Sequence, residues 1–188
     1  MNDTNEPHVL LQGERLALGA PRREMLPAYH RWENDPSTLL GYGNQFPQAW
    51  EVRENGWEGQ RKNRNYQQFE ILDGTEAVGM TILIVNGFVH TAEYVIVIAP
   101  EHRGKGYATE ATRLTLDYGF HLGGLRMIHL KVLEPNAAGI KAYEKAGFRE
   151  VGRLRRSGFW LGKDCAEILM DALPEEFAGP SAVQALTK

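Results

Sequence analysis

Cysteine is almost missing from this chain: Cys165 is the only one in 188 residues. A lone thiol can form no intramolecular disulfide and excludes C-x-x-C metal sites, so the chain suits a reducing compartment. Long apolar runs are missing as well. The longest, residues 95–99, falls far short of the roughly 18 residues that span a bilayer. The opening "MNDTNEPH" has neither a basic start nor an apolar stretch, so no signal peptide is expected. An excess of positive charge is absent too: 21 Lys and Arg against 24 Asp and Glu leave a net charge of −3. That argues against a nucleic-acid partner held by phosphate neutralisation. Six histidines occur, but none at H-E-x-x-H spacing, so no metal site is expected. There is no internal repeat. What remains is an ordinary soluble composition, 43% hydrophobic and 24% charged. It is long enough for one domain with a real core and is expected in the cytoplasm.

The pattern along the chain predicts a strand over residues 14–20 and a helix over 23–32. A Gly/Pro-punctuated loop over 36–48 and a second helix over 49–63 follow. Three strand-like runs, 66–72, 77–85 and 89–99, are separated by "DG" and "NG", strong hairpin signals, and read as an antiparallel meander. Tyr107, Ala111, Leu114, Tyr118 and Leu122 share one helical face within 104–122. A strand over 127–133 comes next, then a helix after Asn136 with Gly147 as its C-terminal stop, then a two-strand ribbon turned at 161–163. The order is β-α-α-β-β-β-α-β-α-β-β. It predicts an α/β (α+β mixed) fold with a central, mostly antiparallel mixed sheet flanked by helices. One domain over 1–173 and a flexible tail over 174–188 are expected.

The run "PEHRGKGYATEA", residues 100–111, sits between a strand and a helix. Glycine allows positive φ and close backbone approach, and a helix N-terminus presents unpaired N–H groups, so such a turn can hold phosphate. A plain left-handed turn starting a helix fits the same residues. A Walker A loop is absent, and Thr109 stands where a dinucleotide fingerprint needs its third glycine. "HRGKGYA" does match R/Q-x-x-G-x-G/A, through Arg103, Gly106 and Ala108.

Together with "NAAGIKAYEKAGF" downstream, that turn resembles the GNAT superfamily of acyl-CoA N-acyltransferases, and within it the ribosomal-protein/polyamine acetyltransferase branch. The resemblance extends over residues 77–173. It implies acetyl-CoA as cofactor, its pyrophosphate held by the turn Arg103, Gly104, Lys105, Gly106, Tyr107, Ala108 and Thr109. It also implies that the pantetheine arm bonds along the edge of Ile96, Val97 and Ile98, as an added strand would. Asn136 would contact the same arm, while the residue pattern alone makes it a helix cap. Relatives often carry serine at the place of Gly139, so that hydroxyl contact is missing here.

Acetyl transfer needs a neutral amine, a donor for the oxyanion and a proton for the leaving thiolate. A lysine-type amine is neutral only about once in 2,500 molecules at pH 7, an α-amine about once in 6–11. Glu93, at the start of the strand before the turn, is the expected base, and the resemblance implies the same. Glu110 lies in the first turns of a helix, where the helix dipole alone explains a carboxylate. Tyr143, on one stripe with Asn136 and Ile140, is the expected acid; from spacing alone it is equally a packing tyrosine. Trp32, Tyr42, Phe46, Trp50 and Trp57 make the first half aromatic. Trp50 and Glu54, with Trp57 on the same stripe, are expected to line an acceptor pocket for a cationic amine, or else to pack and edge the helix. "RLRR" (153–156) reads as exposed strand positions, or as a site for the 3′-phosphate or an acidic partner. Cys165 reads as a packing residue. The expected function is transfer of acetyl from acetyl-CoA to a protein N-terminus, a polyamine or an amine-bearing antibiotic by direct attack. A homodimer is compatible with it, and the rival reading is a non-catalytic acyl-CoA-binding module.

Overall fold

The computed structural model describes residues 6–44 and 46–187. The opening "MNDTNEPH" falls partly on residues 1–5, and the Gly/Pro loop and the tail include residues 45 and 188. Those positions lie outside the described residues.

Among the described residues, eight strands form one sheet in the order β1-β2-β3-β4-β5-β6-β8-β7, built from β1 (Val9–Gln12), β2 (Leu16–Gly19), β3 (Tyr66–Asp73), β4 (Glu76–Asn86), β5 (Thr91–Ile98), β6 (Met127–Leu133), β7 (Arg149–Trp160) and β8 (Lys163–Ala172). Every pairing is antiparallel except β5 with β6. The helices are α1 (Leu26–Glu33), α2 (Pro36–Tyr42), α3 (Trp50–Lys62), α4 (Tyr107–Asp117), α5 (Ala137–Ala146) and α6 (Ala182–Ala185). The mixed, mostly antiparallel sheet flanked by helices is the one the residue pattern predicts.

Strand alternation splits the apolar residues between the two sheet faces. On one face, Leu18, Ile71, Leu83, Tyr94, Ile128 and Met170 pack with Ala111 and Leu114 of α4. On the other, Met80 and Val97 pack with Leu26, Tyr29 and Trp32 of α1 and Trp57 of α3. Each fully buried aliphatic chain stabilises the fold by roughly 1.5–3 kcal/mol. Across the second face Glu70, with no exposed surface, accepts from the Arg22 guanidinium and the Tyr29 hydroxyl. That buried pair fixes how the chain passes from β2 into α1.

The structure corrects three details. The loop expected over 36–48 begins as α2. Asp35 accepts from the Ser37 and Thr38 amides, Pro36 stands at the first helical position, and Gly43 closes the helix at φ +71°. These are capping signals in their usual places. β1 was not expected; it is four residues long and three of them are exposed, too short for alternation to register. β5 starts at Thr91 rather than at residue 89, because Val89 and His90 belong to the preceding turn, His90 at φ +53°. Beyond Leu173, a 3-10 turn (Pro174–Glu176) leads to α6, which buries Val183. The α6 start is held by Asp117, which accepts from the Ala182 amide at 2.6 Å and the Ser181 hydroxyl at 2.6 Å.

Candidate active site

β5 and β6 are neighbours only at their beginnings. Their parallel pairing covers Thr91↔Met127, Ala92↔Ile128 and Glu93↔His129, although β5 runs on to Ile98 and β6 to Leu133. Past Glu93 the strands diverge and leave one edge of β5 without a partner strand. The carbonyls of Ile96 and Ile98 face that opening, since they accept from the Tyr42 hydroxyl at 2.8 Å and from Arg103 Nε at 3.2 Å. Val97 alternates away: its carbonyl points to β4, where Gly79 leaves room (an added Cβ would lie 2.3 Å from it). The opening is the bottom of a cleft of about 680 Å³.

At the far end of β5 the glycine turn closes the cleft. Gly104 and Gly106 have φ +77° and +81° with open space around them, so glycine is required there by backbone conformation and not by crowding. Gly106 is the N-cap of α4 and brings no side-chain cap. The first amides of α4 therefore face the cleft with the helix dipole behind them, a site that suits phosphate.

The remaining walls carry the ionisable groups. Glu93 lines the cleft, half-buried, with no ion-pair or hydrogen-bond partner among the described residues. Tyr143 lines it from α5, packed edge-on to Tyr94 at 6.4 Å and Phe148 at 6.0 Å. Burial pushes the Tyr143 phenol up to about 12, so it keeps its proton through neutral pH. Asn136 also lines the cleft and caps α5, its Oδ1 accepting from the Gly139 amide at 3.0 Å. A Cβ on residue 139 would stand 2.9–3.0 Å from the Asn136 side chain, so glycine there leaves this cap undisturbed.

The chain matches the family model "Acetyltransferase (GNAT) domain" over residues 15–149. It belongs to the GNAT acetyltransferase family. It is 30% identical over 142 residues to spermidine N(1)-acetyltransferase of Escherichia coli strain K12, covering 75% of this chain and 76% of that one. The Vibrio cholerae spermidine N(1)-acetyltransferase is 29% identical over 151 residues, 79% and 87% of the two chains. A crystal structure of spermidine N-acetyltransferase from Vibrio cholerae, in complex with CoA and spermine, superposes with a TM-score of 0.83. Identity there is 28%, over 88% of this chain and 99% of that one.

As a GNAT member the chain is an acetyl-CoA-dependent N-acetyltransferase. Its own residues fit that cofactor: two positive-φ glycines, an uncapped helix start for the pyrophosphate, and a strand edge for the pantetheine amides. Of the residues expected at this GNAT cofactor site, Ile96, Val97, Ile98, Arg103, Gly104, Gly106, Tyr107, Ala108, Thr109 and Asn136 all line the cleft. Several side chains nevertheless point elsewhere. Arg103 reaches α2, bonding Ser37 and, at 2.5 Å, Thr38 Oγ1, with Asp35 at 3.6 Å. Lys105 is not part of the lining and leans on His102 at 3.2 Å. Tyr107 donates to Asp73 and accepts from Arg15 at 2.6 Å, which pins the start of α4 to the β3–β4 turn. Glu110 accepts from the Arg15 and Leu16 amides at 2.9 and 2.8 Å, a structural cap on β2.

The expected acceptor wall requires a correction. Trp50 and Glu54 do not reach the GNAT cleft; with Arg23 and Glu24 they line a separate shallow hollow beside α1. The stripe turns Trp57 into the core, sets Trp50 edge-on against His30 at 5.5 Å and leaves Glu54 exposed. The cleft instead takes Ser37, Thr38 and Tyr42 from α2, and Lys131, Trp160 and Glu167 from the β6–β8 side. The sequence reading missed all of these as site residues except Tyr42, which it noted only as one aromatic among five. No local pattern marks them, because the splay of β5 from β6 is what brings them together. Among the described residues no three His, Cys, Asp or Glu side chains gather in a way that would hold a metal.

Proposed function

We propose that the chain acetylates a polyamine, with Glu93 as general base and Tyr143 as general acid. The observation that carries the reading is a pair of carboxylates, Glu93 and Glu167, that line the same cleft with no ion pair among the described residues. Nearby carboxylates are engaged: Glu134 and Glu150 by Arg153, Asp164 by Arg156. A polyamine carries several ammonium groups and can use both free carboxylates at once. The spermidine N-acetyltransferases among the relatives support the same acceptor class.

Acetyl-CoA supplies the activated acetyl thioester. The turn residues Arg103, Gly104, Gly106, Tyr107, Ala108 and Thr109, the β5 edge at Ile96 and Ile98, and Asn136 would hold it. Glu93 takes a proton from the acceptor ammonium, which at pH 7 is almost wholly protonated. Tyr143 directs its phenol proton toward the departing sulfur. Among the described residues no cleft-lining hydroxyl is paired with a histidine, and Ser37 is bound to Asp35 and Arg103, so the proposed course is direct attack by the amine with no acyl-enzyme. Trapped acetyl-enzyme or burst kinetics would contradict that step. The reading places the reaction in the cytoplasm. It also takes the outer edge of β7, the last strand of the sheet, as the face on which two copies would pair; a monomer in sedimentation would refute that part.

Thiol release from acetyl-CoA across spermidine, spermine, putrescine, a peptide N-terminus and an aminoglycoside tests the whole. Turnover with the polyamines is expected. Turnover confined to the peptide would overturn the acceptor. Tight CoA binding without turnover on any amine would favour the non-catalytic module.

A further inference from the structure

The two carbonyls that the splay exposes already have partners. Ile96 O accepts from the Tyr42 hydroxyl at 2.8 Å, and Ile98 O from Arg103 Nε at 3.2 Å. Both donors also belong to one assembly. Tyr42 is the last residue of α2, and Arg103 grips the first turn of the same helix through Ser37, Thr38 and Asp35. So α2 is strapped across the opening at both ends, with Arg103 at its start and Tyr42 at its finish. Gly43 beyond it, at φ +71°, lets the chain turn away at once.

A strand-like arm laid along β5 needs those carbonyls as acceptors for its amide N–H groups. We propose that Tyr42 is a positioning residue which holds Ile96 until the pantetheine arm takes its place. Cofactor binding then frees the C-terminal end of α2, and the amine enters second. This rests on the cleft being the acetyl-CoA site. It explains why Tyr42, part of whose ring stays exposed, sends its hydroxyl inward. The phenol there lies well above its ordinary value, through burial first and then the neighbouring Tyr143, Glu33, Tyr94 and Tyr66. The alternative is coexistence: a carbonyl oxygen has two lone pairs and could serve Tyr42 and the arm together.

The two alternatives differ in sign for Tyr42→Phe, which keeps the ring and removes the donor. Displacement predicts that calorimetry will show acetyl-CoA binding about 2- to 10-fold tighter in Y42F, the worth of one neutral hydrogen bond no longer broken. A merely structural role would weaken binding. In the unaltered protein, hydrogen exchange on the amides of α2 should quicken near Tyr42 when CoA is added. Initial-rate and dead-end inhibition patterns should be ordered, cofactor first, and should relax toward random in Y42F. Equal or weaker binding in a folded Y42F overturns the proposal, as does α2 exchange unchanged by CoA in the unaltered protein. Failure of acetyl-CoA to bind either protein would instead overturn the cofactor reading of the cleft, and this proposal with it.

Discussion

Removing the Tyr143 hydroxyl, as Tyr143→Phe, tests how far the phenol carries the reaction. The size of the loss follows from its environment. Burial holds the phenol up to about 12. An alkyl thiol ionises near 8.5, so full transfer of the phenol proton to a finished thiolate runs uphill by about 5 kcal/mol. In the proposed mechanism Tyr143 would therefore act by donating a hydrogen bond to developing negative charge rather than by fully transferring its proton. A hydrogen bond to a charged partner contributes roughly 1.5–3 kcal/mol, which sets the expected fall in kcat at about 10- to 150-fold. Complete general-acid catalysis would allow up to about 10⁴-fold. The ring packs on Tyr94 and Phe148 through its faces and edges, which phenylalanine preserves, so stability should hold. Steady-state thiol release at saturating amine gives kcat; the KM for acetyl-CoA should move little. The same burial forbids a falling limb of kcat from Tyr143 below about pH 11. Full kcat in the Phe variant would remove the acid role, and a falling limb near pH 9 that vanishes in that variant would refute the buried, protonated phenol.

Glu93→Gln should lower kcat/KM for spermidine by about 10²–10⁴ at pH 7, and the deficit should shrink as pH approaches the amine's own pKa near 10, because free amine then needs no base; a deficit independent of pH would refute the base role. Gly106→Ala forces a Cβ into φ +81° at a cost of about 1–2 kcal/mol, so acetyl-CoA should bind about 10-fold more weakly by calorimetry, while Gly106→Asn, which tolerates that conformation, should lose less. Equal losses in the two variants would mean that the side chain, not the backbone, disturbs the turn. Trp50→Ala and Glu54→Ala should leave the polyamine KM within about twofold, since both face the shallow hollow and not the cleft; a large rise in KM for either would return that helix to the acceptor site.

What could be read in the sequence were features whose causes are local. The β3–β4 hairpin follows from "DG", and α4 follows from a four-three-four spacing that the structure packs against the sheet. The glycine turn was legible because positive φ favours glycine, and Gly104 and Gly106 both adopt it. The place of the Glu110 carboxylate was legible in the first turns of a helix, though not its full reason. A helix dipole was sufficient, yet the group caps the β2 amides nearly a hundred residues away. The same distance in sequence hid the acceptor side. Trp50, Glu54 and Trp57 do share a stripe, but a stripe does not reveal which of its members meets the sheet, and the sheet took Trp57. α2 was lost because Pro36, Gly41 and Gly43 were read as punctuation, when Asp35 and Pro36 start a helix and Gly43 stops one. That loss removed Tyr42 from view, because only its position at the end of α2 brings its hydroxyl to Ile96. The opening itself depends on β6 leaving β5 after Glu93 and turning to β8, a choice made by pairing over residues 128–133 with 167–172. No window of sequence around β5 contains that information. Glu93 and Tyr143 could be proposed in advance because the resemblance supplied their pairing, while the α2 and β6–β8 residues of the cleft had to wait for the sheet.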